Sequence, residues 1–166
     1  VPIFTTGIGA DHILEHEADA SELPDMPLGF RILHISSCFP RKGIDILLDA
    51  FAGKFKCGDD VSLVIKTFPN PHHNIDKLIR AWRNKHPKAA NIVLINKDLG
   101  DSAIRALYQQ CHALAAPSRG EGFGLPMAEA MLHKLPVVTT GFGGQQDFCN
   151  TDTAWIIDYN FAYAET

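Results

Sequence analysis

A chain of 166 residues has the size of a single domain, and folding at that length buries about 70% of the extended-chain surface, enough for a self-sufficient core. With 46% hydrophobic and 20% charged residues it has the proportions of an ordinary globular domain. The net charge of −4 argues against a generally basic nucleic-acid or membrane surface, and no apolar run reaches the ~18 residues of a membrane span.

The four cysteines, Cys38, Cys57, Cys111 and Cys149, make no Cys-x-x-Cys pair. Three lie in or beside apolar segments, which predicts buried free thiols in a reducing compartment. The chain opens on Val1 without an initiator methionine or the regions of a signal peptide, and reads as a piece of a longer protein.

Residues 1–29 are expected to be an irregular lead-in, and residues 30–166 the folded domain. Strand-like and helix-like segments then alternate. Residues 30–36 form a short apolar strand. Lys42 and Gly43 open a helix whose Ile44, Leu47, Leu48 and Phe51 share one face. Strand 61–65, amphipathic helix 75–86, strand 91–95 and helix 101–110 follow. Strand 112–116, helix 126–133, strand 136–140 and strand 154–157 complete the series. Strands that are apolar throughout belong to sheets buried on both faces. Their alternation with helices predicts an α/β fold with a Rossmann-like, doubly wound parallel sheet. Ligands of such sheets bind at the carboxyl ends of the strands. Attention therefore falls on the loops 36–43, 66–74, 96–101, 117–126 and 141–147.

The loop from Arg119 to Leu125 carries the most chemistry. Gly122 and Gly124 free the backbone for a tight turn and a close ligand, and Pro126 suits a first helical turn. The amides of Gly124, Leu125, Met127 and Ala128 are then expected at a helix N-terminus, where an anion such as a diphosphate is favoured. Glu121 and Glu129 frame the loop, and a carboxylate is an acceptor suited to sugar hydroxyls. Stabilisation of the helix dipole alone is the blander account of these two residues. In the loop 36–43, Arg41 and Lys42 sit together at a helix start, where two cations oppose the dipole unless they bind an anion.

The run Glu121-Gly-Phe-Gly-Leu-Pro-Met-Ala-Glu129 resembles the E-x7-E signature of retaining GT-B glycosyltransferases, in particular family 4 (glycosyl transferases group 1). The likeness continues upstream through residues 106–118 and downstream through Ala130-Met131, 135–138 and Gly143-Gly144. It implies the C-terminal, donor-binding half of a GT-B fold. It implies that Glu121 contacts the donor sugar, that Glu129 binds the ribose, and that Phe123, Gly124 and Leu125 touch sugar and diphosphate. Lys42 and Gly43 match the family's K-G, whereas Ser37 stands where the family carries an arginine, with Arg41 as a compensating cation. Gly143 and Gly144 would line the donor crevice.

The same resemblance implies a UDP-, GDP- or ADP-sugar as donor, no cofactor and no metal. It also implies an N-terminal acceptor domain and C-terminal helices outside this chain. Peripheral membrane association, if any, would come through that other domain of a cytoplasmic protein. Asp-x-Asp is absent, and the pair His72-His73 is too few ligands for a metal site. Lys66 reads equally as a crevice or a surface residue. Gly141-Phe-Gly143-Gly144 lacks the third glycine of a dinucleotide fingerprint, because Gln146 stands there. A non-catalytic nucleotide-sugar-binding module and an NAD-type domain are the competing readings.

Overall fold

Buried backbone N–H and C=O groups must be paired, and six apolar segments pair theirs in one sheet. The computed structural model describes residues 9–162; the readings placed on the opening from Val1 and on the end at Thr166 lie outside them. The strands are β1 (Phe30–Ile35), β2 (Val61–Thr67), β3 (Asn91–Asn96), β4 (Ala113–Ala116), β5 (Val137–Thr140) and β6 (Trp155–Ile157). The helices are α1 (Ile44–Lys54), α2 (Ile75–Lys85), α3 (Asp101–Gln110) and α4 (Leu125–Leu132).

The strand order is β3-β2-β1-β4-β5-β6, and every pairing is parallel. Right-handed crossovers from a central β1 outward in both directions must place their helices on opposite faces. The packing shows this division. Ile44, Leu48 and Phe51 of α1 and Ile79 and Trp82 of α2 pack on Leu63, Ile65 and Ile92. Leu107 and Tyr108 of α3 and Met127 and Ala130 of α4 pack on Leu33, Val64, Leu114 and Val137. Neighbouring residues of β2 thus serve opposite cores, which is why Leu63, Val64 and Ile65 are apolar in succession. Trp82 buries its ring and satisfies its indole N–H on the Leu48 carbonyl at 3.1 Å.

Every expected strand and helix is present, within two residues of its expected ends. The largest local difference is at the first helix. Pro40–Lys42 form a separate 3-10 turn, and Gly43, at φ +70°, ends that turn and caps α1. The lead-in is less irregular than expected. Asp11–Leu14 make one 3-10 turn whose Ile13 is buried, and the turn packs on α3 and α4. Arg105 donates to the carbonyls of Leu14 (2.8 Å) and His16, and the Asp19 amide donates to Ser102. Cys38, Cys111 and Cys149 are buried free thiols, while Cys57 is exposed. Among the described residues no helix is long and apolar enough to cross a membrane.

Candidate functional site

Between β1 and β4 the strand order reverses, so the helices that follow them lie on opposite faces, and ligands of such sheets bind in the crevice expected at this switch point of the carboxyl edge. The loops 36–43 and 117–124 border it and are fastened together. The Arg119 amide donates to the Arg41 carbonyl at 2.7 Å, and Arg41 Nη1 reaches the Gly120 carbonyl at 3.2 Å. Arg119 also forks onto Asp45 at 2.8 and 2.7 Å, which holds the Asp45 carboxyl below its usual range. Gly43 lies so close to the other loop that a Cβ there would stand 2.0 Å from the Pro117 carbonyl oxygen.

A third loop closes against the second. The Gly144 amide donates to the Glu121 carbonyl at 3.1 Å, and a Cβ on Gly144 would lie 1.7 Å from the Gly122 oxygen. Gly124, at φ +89°, meets the Cβ of Gln145 in the same way. Gln145 is fully buried and donates to the carbonyls of Thr140 and Phe142, both at 2.9 Å. Glycines at 43, 124 and 144 therefore set the distances between three loops.

At the centre, Lys42 Nζ donates to Glu121 Oε1 at 2.5 Å, and the Ser118 hydroxyl donates to the same oxygen at 2.7 Å. The two charged side chains are only 13% and 8% exposed. Paired charges this far from water need good geometry to offset their desolvation, and the loop contacts supply it.

Beneath them lies His34, which is 1% exposed. Its Nδ1 is 2.8 Å from the Ala115 carbonyl, which can only accept, so Nδ1 carries the proton. Nε2 then accepts from the Ser36 hydroxyl at 2.8 Å, and Ser36 Oγ accepts the Cys38 amide at 2.9 Å. This chain pins the start of the loop that carries Lys42. Burial pulls His34 from 6.5 down to about 4, opposed by the Ala115 carbonyl; Lys42 deepens the shift and Glu121 reduces it.

The unfolded chain takes up a proton near pH 6.5 that the folded chain refuses until about 4, so stability is fully present above 6.5 and falls as the pH drops through that window. Between pH 7.5 and 5 this one group should cost about 2 kcal/mol. Urea unfolding at both pH values should show a correspondingly smaller loss in His34→Gln. An equal loss in both proteins would assign it to other groups.

The structure brings Lys42, Glu121, Gly43, Phe123, Gly124, Gly143 and Gly144 into one crevice wall. Arg41 is exposed and already engaged with the neighbouring loop. The Ser37 hydroxyl points inward and is buried without a hydrogen-bond partner among the described residues. Phe123 packs on Phe148 with ring centroids 5.2 Å apart, and Leu125 is exposed. One expectation is corrected. The Met127 and Ala128 amides donate to the Gly124 carbonyl at 2.9 and 3.2 Å, because Gly124 is the N-cap and its carbonyl accepts the first bonds of the helix. That leaves the amides of Gly124 and Leu125 for an anion. Lys66 is neither in the open crevice nor on the surface: it is 7% exposed, and its ammonium donates to the Thr67 carbonyl.

Glu129 is 7% exposed and burial raises its carboxyl above the usual range. Its Oε2 accepts the Tyr108 hydroxyl at 2.8 Å, and its Oε1 faces His12 Nε2 at 3.4 Å. The sequence reading assigned roles to neither partner. Tyr108 sits in a helix that reads as plain core, and His12 lies in the lead-in.

The fold agrees with solved structures. The chain superposes on the C-terminal domain of a glycosyl transferase group 1 family protein from Francisella tularensis with a TM-score of 0.65 and 22% identity, covering 79% of this chain and 67% of that one. An Anabaena protein solved with UDP-glucose gives 0.63 and 24%, covering 78% and 35%. The fold is thus the Rossmann-like C-terminal domain of the GT-B type. In sequence, residues 29–164 match the family described as Glycosyl transferases group 1, and the chain belongs to that family. It is 31% identical over 139 residues to the serotype-specific mannosyltransferase WbdA of Escherichia coli, covering 79% of this chain and 16% of that protein. It is 32% identical over 123 residues to the MMP alpha-(1->4)-mannosyltransferase of Mycolicibacterium hassiacum, covering 74% and 28%. The chain therefore spans less than a third of either relative.

Proposed function

We propose that this chain is the donor-binding domain of a retaining, metal-independent family 4 glycosyltransferase that takes its sugar from a UDP-, GDP- or ADP-sugar. One observation carries the reading: Lys42 meets the Glu121 carboxylate, the first residue of the E-x7-E run, at the β1–β4 switch point. Lys42 and Arg41, with the Gly124 and Leu125 amides, offer positive charge to a diphosphate leaving group. Such preorganised charge is commonly the largest catalytic contribution. Both hydrogen bonds to Glu121 fall on Oε1, so Oε2 is the oxygen offered to a sugar hydroxyl. Phe123 lies against the sugar, and Glu129 serves the ribose. Ser37, Gly43, Gly143 and Gly144 shape the walls. The mannosyltransferase names of the sequence relatives and the UDP-glucose of the Anabaena structure support this donor class.

Transfer in this reading needs a second, acceptor-holding domain, through which any membrane contact of a cytoplasmic enzyme would run. The 166 residues alone are then expected to bind donor and turn over little. Calorimetric titration with UDP, GDP, ADP and NAD tests the assignment. One nucleoside diphosphate should bind in preference to NAD, and binding of NAD alone would overturn the reading. Sugar transfer by the isolated chain would refute the expected need for a second domain.

A further inference from the structure

The two oxygens of the Glu129 carboxylate face residues that come from different parts of the chain. Oε2 is committed to Tyr108, whose hydroxyl donates at 2.8 Å from a fully buried ring. That ring is itself clamped, lying 5.2 Å from the His133 ring at an interplanar angle of 16°. His133 Nδ1 in turn contacts the Glu129 backbone carbonyl at 2.8 Å. The other oxygen, Oε1, faces outward to His12, which is 45% exposed in its side chain. His12 belongs to the 3-10 turn anchored by buried Ile13 and by the bonds from Arg105.

A carboxylate with one oxygen tied to a buried donor can no longer rotate freely. Its remaining oxygen is then fixed in place, and His12 stands 3.4 Å from it, beside the lone pairs that would accept a hydroxyl. We infer that Tyr108 and His12 are positioning residues for Glu129. Tyr108 orients the carboxylate, and the lead-in brings His12 to the rim of the same hydroxyl-reading oxygen. This makes the lead-in part of the donor site and not only a connection to it. The inference rests on the proposed reading of Glu129 as the ribose ligand.

The test compares UDP, GDP or ADP, whichever the wild-type chain binds best, with its 2′,3′-dideoxy counterpart. Wild type should prefer the ribose form by about 10- to 100-fold, the range for hydrogen bonds to a charged group, and Glu129→Gln should shrink that preference. Tyr108→Phe keeps the ring against His133 and removes only the hydroxyl. It should narrow the preference severalfold by weakening the ribose form, with the dideoxy affinity held within about twofold. His12→Ala changes a half-exposed side chain without disturbing the core, and should narrow the preference in the same sense. Neither change should act further in the Glu129→Gln background. An unaltered preference in both variants overturns the inference while leaving the donor-domain reading standing. A wild-type chain that binds no nucleoside diphosphate overturns that reading and this inference with it. Equal loss of ribose and dideoxy affinity would mark the two residues as merely structural.

Discussion

Lys42→Met should be the most damaging single change at the crevice, lowering both stability and nucleotide affinity. Methionine fills the same volume but leaves Glu121, 8% exposed, with the Ser118 hydroxyl as its remaining bond at Oε1. Removing one partner of a buried pair leaves the other charge uncompensated, which costs roughly 3–5 kcal/mol. The surviving serine bond places the expectation at the low end, about 3 kcal/mol. The double change Lys42→Met with Glu121→Gln should recover part of that loss, because no unpaired charge then remains. Urea midpoints of the three proteins measure this, and a single variant no less stable than the double one would refute it. Calorimetry should show affinity for the preferred nucleoside diphosphate falling by about 10- to 100-fold. Unchanged affinity would remove Lys42 from the diphosphate site.

Gly43→Ala should cost almost as much, for a reason that has nothing to do with charge. The residue sits at φ +70°, where a Cβ is strained by roughly 1–2 kcal/mol. That Cβ would also stand 2.0 Å from the Pro117 carbonyl oxygen, and backbone at the end of a central strand yields little. Overpacking of this kind adds roughly 1–3 kcal/mol, for a total of about 3 kcal/mol. Because Gly43 adjoins Lys42, relief by moving the loops apart would also lengthen the Lys42–Glu121 contact. Gly53→Ala is the natural control: it lies in α1 with nothing within 4 Å of its built Cβ, and should be neutral or slightly stabilising. Thermal unfolding of the two variants gives the comparison. Equal midpoints would show that the close approach at Gly43 is not a constraint.

How much of this was readable in advance depends on the range of the interaction. Val61 to Ile65 announced a strand through β-branched and apolar residues, and their lack of alternation announced a sheet covered on both faces. Pro126 and the neighbouring glycines announced a turn into a helix. Glu121 and Lys42 could each be singled out by type and position, but their pairing spans 79 residues of chain. The helix starts one residue before Pro126, so the Gly124 carbonyl already takes the Met127 and Ala128 amides that the sequence leaves free. Burial hid Lys66, which reads equally as a crevice or a surface residue because charged side chains are rarely buried.

Local periodicity and turn chemistry, which depend on residues a few places apart, therefore determined the α/β class, the order of its elements and the loop that carries Glu121 and Glu129. Only the tertiary structure decided which loops meet. The reversal of strand order at β1 and β4 puts Gly43 against Pro117 and Lys42 onto Glu121. Packing of α3 on α4 puts Tyr108 at one oxygen of Glu129, and docking of the lead-in on both helices brings His12 to the other. These contacts come from packing between distant segments, and no short window of sequence encodes the distance between two residues it does not contain.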